Sequence, residues 1–122
     1  DMINFGERDK VPSRFRNRAI YEHNPQVTLV RTSPEECGQL GKILAKKANA
    51  NKALTSILIP TQAVSVIGAP GGVFHSPEAD AELFKAIRAE SAVEVLELPV
   101  EINSEEFATA CVKTLLSLMS RQ

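Results

Sequence analysis

The stretch Val27-Thr28-Leu29-Val30-Arg31-Thr32-Ser33-Pro34-Glu35-Glu36 decides the fold. An apolar run ending at Val30 passes through Arg31 and Thr32 straight into the start of a helix. Ser33 has the short oxygen-bearing side chain of an N-cap. Pro34 suits the first helical position, and Glu36 stands where it can reach back to complete a capping box. The segment therefore reads as a strand turning sharply into a helix. Two further apolar runs, Ser56–Ile59 and Val93–Leu98, are each followed by a helical pattern, so the chain reads β-α-β-α-β-α. We expect an α/β fold, a three-layer Rossmann-like half with a small parallel sheet. In such sheets the strand ends and helix starts share one rim, where ligands bind.

The first helix is expected from Pro34 to Ala48, with Cys37, Leu40, Leu44 and Ala48 on its apolar stripe and Ile43 widening it. Acids at its start and Lys46-Lys47 at its end suit the helix dipole. Pro60 closes the second strand. The second helix opens on Ser76-Pro77-Glu78, repeating the cap-then-proline grammar, and turns Ala79, Leu83, Phe84 and Ile87 inward as far as about Glu90. Glu94 and Glu97 interrupt the third strand, as at a sheet edge. Asn103 or Ser104 caps the last helix, with Glu106 placed for a box from Asn103. Its stripe is Phe107, Cys111, Leu115 and Met119.

Ahead of these units, residues 1–26 form an irregular N-terminal arm, and the α/β domain occupies 27–122. Short strands are expected around Ile3 and Phe5 and at Ala19–Tyr21, with Phe15 pinning the arm. Pro25 makes the entry to Val27 extended. Arg14, Arg16 and Arg18 read as a solvated strip whose nearby acids offset part of its charge.

Composition narrows the function. Hydrophobic residues make up 43% and charged residues 24%, as in an ordinary globular domain. A net charge of -1 argues against nucleic-acid or anionic-membrane partners, which call for a basic excess. No apolar run approaches membrane-spanning length. Cys37 and Cys111 both fall on helix stripes and read as buried, reduced thiols, which points to a cytoplasmic setting.

Metal-ligand spacing, a Walker loop and the dinucleotide glycine fingerprint are all missing from the sequence. Ser65, His75 and Asp80 could in principle meet at the rim. Ser65, however, lacks the flanking glycines of a nucleophile elbow, and Asp80 suits a helix dipole. No catalytic residue is therefore assigned, and the chain leans away from being an enzyme. Two features point instead to ligand contact. Arg31, Thr32 and Ser33 place a guanidinium and hydroxyls at a helix start, a setting that attracts anions. The connection Thr61–His75 is unusually long, and its Gly71 and Gly72 let backbone N–H groups approach a ligand unobstructed. The candidate ligand-binding residues are Arg31, Thr32, Ser33, Ser65, Gly71, Gly72 and His75, with no metal ligand. An alternative is an enzyme acting on a small phosphorylated or carboxylated metabolite, with His23 or His75 as acid or base.

A series of short strings adds a resemblance. Asn4-Phe5-Gly6, His23-Asn24-Pro25, Thr28, Arg31-Thr32, Pro34-Glu35-Glu36, Ala69-Pro70-Gly71, Phe74, Pro77-Glu78-Ala79-Asp80 and Ile102-Asn103 occur in this order. Together they resemble the C-terminal portion of the tomato-mosaic-virus resistance protein-like ATP-binding domain family, which includes uncharacterised bacterial homologues. The similarity covers essentially the whole chain. It implies a longer protein with a preceding N-terminal α/β subdomain, and ATP or another phosphate compound as a ligand of that full-length protein. The chain departs from the family pattern at Gln62-Ala63, Gly68, Ser76, Glu101 and Ser104. The serines keep a capping role, whereas Gly68 and Glu101 stand where an Asp and a His are usual.

The expectation is thus a non-catalytic C-terminal α/β subdomain that completes a nucleotide or anion cleft. Its expected partners are its own N-terminal subdomain and further copies of itself, because a small sheet leaves apolar surface uncovered.

Overall fold

The computed structural model describes residues 1–121. The chain runs β1 (Met2–Phe5), β2 (Ile20–Asn24), β3 (Val27–Arg31), α1 (Pro34–Asn49), β4 (Ser56–Pro60), α2 (Pro77–Glu90), β5 (Glu94–Leu98) and α3 (Glu105–Met119), with short 3-10 turns at Arg8–Lys10 and Ser13–Phe15. It is an α/β fold with the expected alternation of strands and helices.

Strand pairing divides this framework in two. β4 and β5 pair in parallel, from Ser56 opposite Glu94 to Pro60 opposite Leu98, and an Ala63–Glu101 bridge carries the pairing past the strand ends. β3 instead lies between β1 and β2, antiparallel to both. The irregular segment ahead of Val27 therefore supplies two strands. Its turn is local: the Gln26 N–H donates to Asn24 Oδ1 at 2.9 Å, folding β2 back onto β3 across Pro25. Such a hairpin forms with little loop-closure entropy, and it takes up both edges of β3 together with β1.

Each sheet has its own core. Val30 meets Val11 and Phe15, flanked by Ile3, Phe5 and Ile20. Phe15 does pin the segment, its ring 5.4 Å from that of Phe5. Ile59 packs with Phe84 and Ile87 of α2, flanked by Ile57 and Val95. On the opposite side of the β4–β5 pair, Leu96 shares a groove with Thr114 and Leu118 of α3. Helices thus cover both faces.

The helix faces differ from their sequence stripes. α1 buries Cys37, Gly41 and Ala45, while Leu40, Ile43 and Leu44 are exposed. The reason is close helix packing. A Cβ on Gly41 would lie 2.6 Å from the Leu83 carbonyl and 2.7 Å from Ala86 Cβ, so only small residues fit where α1 meets α2. In α3, Phe107 is buried, but Val112, Leu115, Leu116 and Met119 are each more than half exposed. Cys37 is buried and Cys111 partly exposed, and both are free thiols.

The helix starts are as expected for α1 and α2. Ser33 and Glu36 form the reciprocal capping box, and Ser76 accepts from the Ala79 N–H. Ser104 caps α3 through the Phe107 N–H, so the alternative cap at Asn103 is not used. Among the described residues no helix is long and apolar enough to cross a membrane.

Candidate functional site

At the end of β3 the chain delivers Arg31 into the interior, only 6% exposed. Its planar fork carries five N–H bonds. Nε donates to the Phe74 carbonyl at 2.9 Å. Nη1 donates to the Asp1 carbonyl at 3.1 Å and to Thr32 Oγ1 at 3.2 Å. Nη2 donates to the Ser76 carbonyl at 3.3 Å and to Asp80 Oδ1 at 2.6 Å. All five donors are occupied. Arg31 therefore ties the first residue of the chain, the long connection and the start of α2 into one unit, and its charge is balanced by buried Asp80.

Asp1 is the second junction. Its carbonyl accepts from the Thr32 N–H at 3.1 Å, and its carboxylate accepts from the Ser65 hydroxyl. Ser65 Oγ in turn accepts from the Gly68 N–H at 3.0 Å, and the Gly68 carbonyl meets His75 Nδ1 at 3.2 Å. A carbonyl can only accept, so Nδ1 carries a proton, and in the neutral tautomer that this selects Nε2 is an acceptor. Thr32, buried, also lies 3.1 Å from Cys37 Sγ.

The rim thus brings together Arg31, Thr32, Ser65, Gly68 and His75 around Asp1. Ser33 stands beside them as the cap of α1. Gly71 has a φ of 84° and open space where a Cβ would be, whereas a Cβ on Gly72 would strike the Ile67 carbonyl. His75 is exposed. The Ser65–His75–Asp80 triad considered from the sequence is not assembled. Ser65 turns to Asp1, Asp80 to Arg31, and His75 to a carbonyl. His23 is exposed on β2 with its ring beside Tyr21.

A pocket of about 310 Å³ opens at the same end of β4. It is lined by Thr61 and Gln62 beyond the strand, His75 from the connection, and Pro77, Asp80 and Phe84 of α2. A larger groove, about 490 Å³, runs between the outer surfaces of α1 and α2, with Glu35, Glu82, Lys42 and Lys85 along it. That groove follows solvated helix surface. The smaller pocket sits where the parallel strands end, the usual ligand position in open α/β sheets. Sequence reading missed Asp1, Thr61, Gln62 and Phe84. For Thr61 and Gln62 a signal existed, since Pro60 marks the carboxyl end of a strand.

Electrostatics reinforce the frame beside the site. Glu36, besides its part in the capping box, pairs with both terminal nitrogens of Arg18. Hydrogen bonding to Arg18 holds the Glu36 carboxyl below its ordinary value and raises that of Arg18, in each case against the opposing effect of burial.

These features define a class: an α/β domain whose rim at the carboxyl ends of its parallel strands gathers a long connection and two helix starts. The chain belongs to the uncharacterised protein family UPF0261, matching the C-terminal domain of that family over residues 1–119. A UPF0261 protein of Clostridium tetani is 40% identical over 124 residues, covering 99% of this chain and 31% of that protein. One from Rhizobium meliloti is 40% identical over 116 residues, covering 92% of this chain and 29% of its own length. The ToMV resistance protein Tm-1 of Solanum lycopersicum is 36% identical over 122 residues, covering 97% of this chain and 16% of that protein. The chain therefore spans less than a third of the length of these relatives.

Proposed function

We propose that this domain completes a nucleotide- or anion-binding cleft together with an N-terminal part of its protein, and that it takes part in self-association without itself carrying out catalysis. The observation that carries the reading is the convergence at one rim of Thr32, Ser65, Gly68 and His75 around Asp1. The helix starts are closed by their own caps, so the connection is the ligand-facing part, although turn hydrogen bonds such as that from the Gly72 N–H to the Ala69 carbonyl at 2.8 Å already use much of its backbone. Gly71, with open space on its Cβ side, approaches the anion, Gly72 holds the turn through its N–H bond to the Ala69 carbonyl, and His75 stands beside them. Thr32, Ser33 and Ser65 shape the floor, and Arg31 positions it from behind. ATP is the nucleotide suggested by the resemblance of the motifs. The bare apolar faces of α1 and α3 support the association.

Isothermal calorimetry on the full-length protein tests the cleft. Saturable binding of ATP or a smaller phosphate compound is expected, weakened by Gly71→Val, which cannot hold the positive φ. Absence of binding for every phosphate compound tried would reject the cleft.

A second reading is an enzyme acting on a small phosphorylated or carboxylated metabolite. It is favoured by the fixed Nδ1–H of His75, which leaves Nε2 as a base at the pocket. Unchanged turnover in both His75→Ala and His23→Ala would end it.

A further inference from the structure

We propose that the pocket beyond β4 binds the hydroxyl groups of a neutral sugar or polyol. This goes beyond the anion cleft and does not rest on it.

The pocket wall is rich in acceptors. The Thr61 hydroxyl gives its proton to the Leu98 carbonyl at 3.1 Å and keeps its lone pairs. The His75 ring, held by the Gly68 carbonyl through Nδ1, offers Nε2 as an acceptor. Asp80 contributes a carboxylate, and the Gln62 amide can both accept and donate. A ligand that satisfies this wall must supply several donors.

Charge then narrows the class. Asp80 is paired with Arg31 at 2.6 Å, so the wall has a carboxylate but no net charge to attract a cation. The guanidinium that balances it has its five donors occupied, so an anion would find no free N–H there. A neutral, donor-rich molecule fits both conditions. Pro77 and Phe84 add an apolar side suited to the C–H face of a sugar ring. The volume of about 310 Å³ lies at the small end for ligand pockets and accommodates a pentose or hexose.

The test is calorimetric titration of the full-length protein with D-ribose, glycerol and inorganic phosphate. Saturable binding of ribose or glycerol is expected, weakened ~10-fold or more by His75→Ala and by Gln62→Leu. Both side chains are exposed, so an unchanged unfolding midpoint in each variant serves as the folding control. No saturable binding of either polyol, or equal binding by the wild type and both variants, would overturn the proposal. Phosphate binding that ribose displaces and His75→Ala abolishes would also overturn it, because the pocket would then be an anion site. Ribose binding here with no phosphate compound bound anywhere would refute the cleft and uphold the pocket.

Discussion

Arg31 is the residue on which the rim depends. It anchors Asp1, Phe74, Ser76 and Asp80 from three separate parts of the chain. Removing one member of a buried, hydrogen-bonded ion pair leaves the other charge unpaired, at a cost of about 3–5 kcal/mol. Arg31→Ala is therefore expected to lower stability by that amount in urea unfolding, whereas exposed Arg16→Ala should change it by less than ~0.5 kcal/mol. A loss below ~1 kcal/mol for Arg31→Ala would show that the junction is not structural. The sequence showed Arg31 at a helix start and suggested an anion partner. It could not show that its counter-charge comes from Asp80, 49 positions away. Asp1 escaped notice for the same reason, since its partner Ser65 is 64 positions distant.

At the scale of elements, α1 carries two glycines with opposite roles. Gly38 has open space around its Cβ position, whereas Gly41 is pressed against α2. Gly38→Ala should stabilise the chain by ~0.5–1 kcal/mol through lower backbone entropy in the unfolded state. Gly41→Ala should destabilise it by about 1–3 kcal/mol through overpacking. Thermal unfolding of the two variants checks both signs, and equal shifts would contradict the packing.

The start of α1 gives a pH prediction. Glu36 has a carboxyl pKa lowered in the fold from its ordinary 4.5, so the folded state binds that proton less tightly than the unfolded state. The stabilisation is present above 4.5 and is lost as the pH falls through the lowered value. Glu36→Gln keeps an oxygen for the cap but loses the ion pair, and is expected to cost about 1 kcal/mol at pH 7. That difference should fade toward pH 3. A difference that persists unchanged in acid would show that the ion pair is not its source.

The capping grammar of Ser33–Glu36 and Ser76–Ala79 made the helix starts legible, because caps are local chemistry. Which part of a broad apolar arc is covered depends on a neighbour. Leu40, Ile43 and Leu44 therefore read as core while Gly41 did not. β3 was recognisable as a strand from its apolar run, but its partners were not, because pairing with Met2–Phe5 and Ile20–Asn24 is set by the turn at Pro25 and by distant chain.

At the scale of the molecule, the two parallel strands and their flanking helices present a rim, and two helix faces stay bare. Val112, Leu115, Leu116 and Met119 recur at helical spacing on α3 and form one exposed apolar stripe. Sedimentation velocity on the protein should show an assembly larger than a monomer, and Leu116→Glu should shift it toward monomer. A monomer at every concentration would remove the association from the proposed function.

The long connection was legible as a ligand candidate because Ala69-Pro70-Gly71-Gly72 is turn chemistry, but its link to Thr32 was not, because that link runs from Ser65 through Asp1 and β3 lies outside the parallel sheet. The pocket beside it was not legible, because Gln62, His75 and Phe84 meet only once α2 is docked on β4. The most direct measurement is amide chemical-shift mapping of the full-length protein on addition of ATP. Perturbations concentrated in residues 65–75 and at Thr32–Ser33 are expected. A saturating response confined to α3 or to β1 and β2, with the connection unmoved, would contradict the rim as the ligand site.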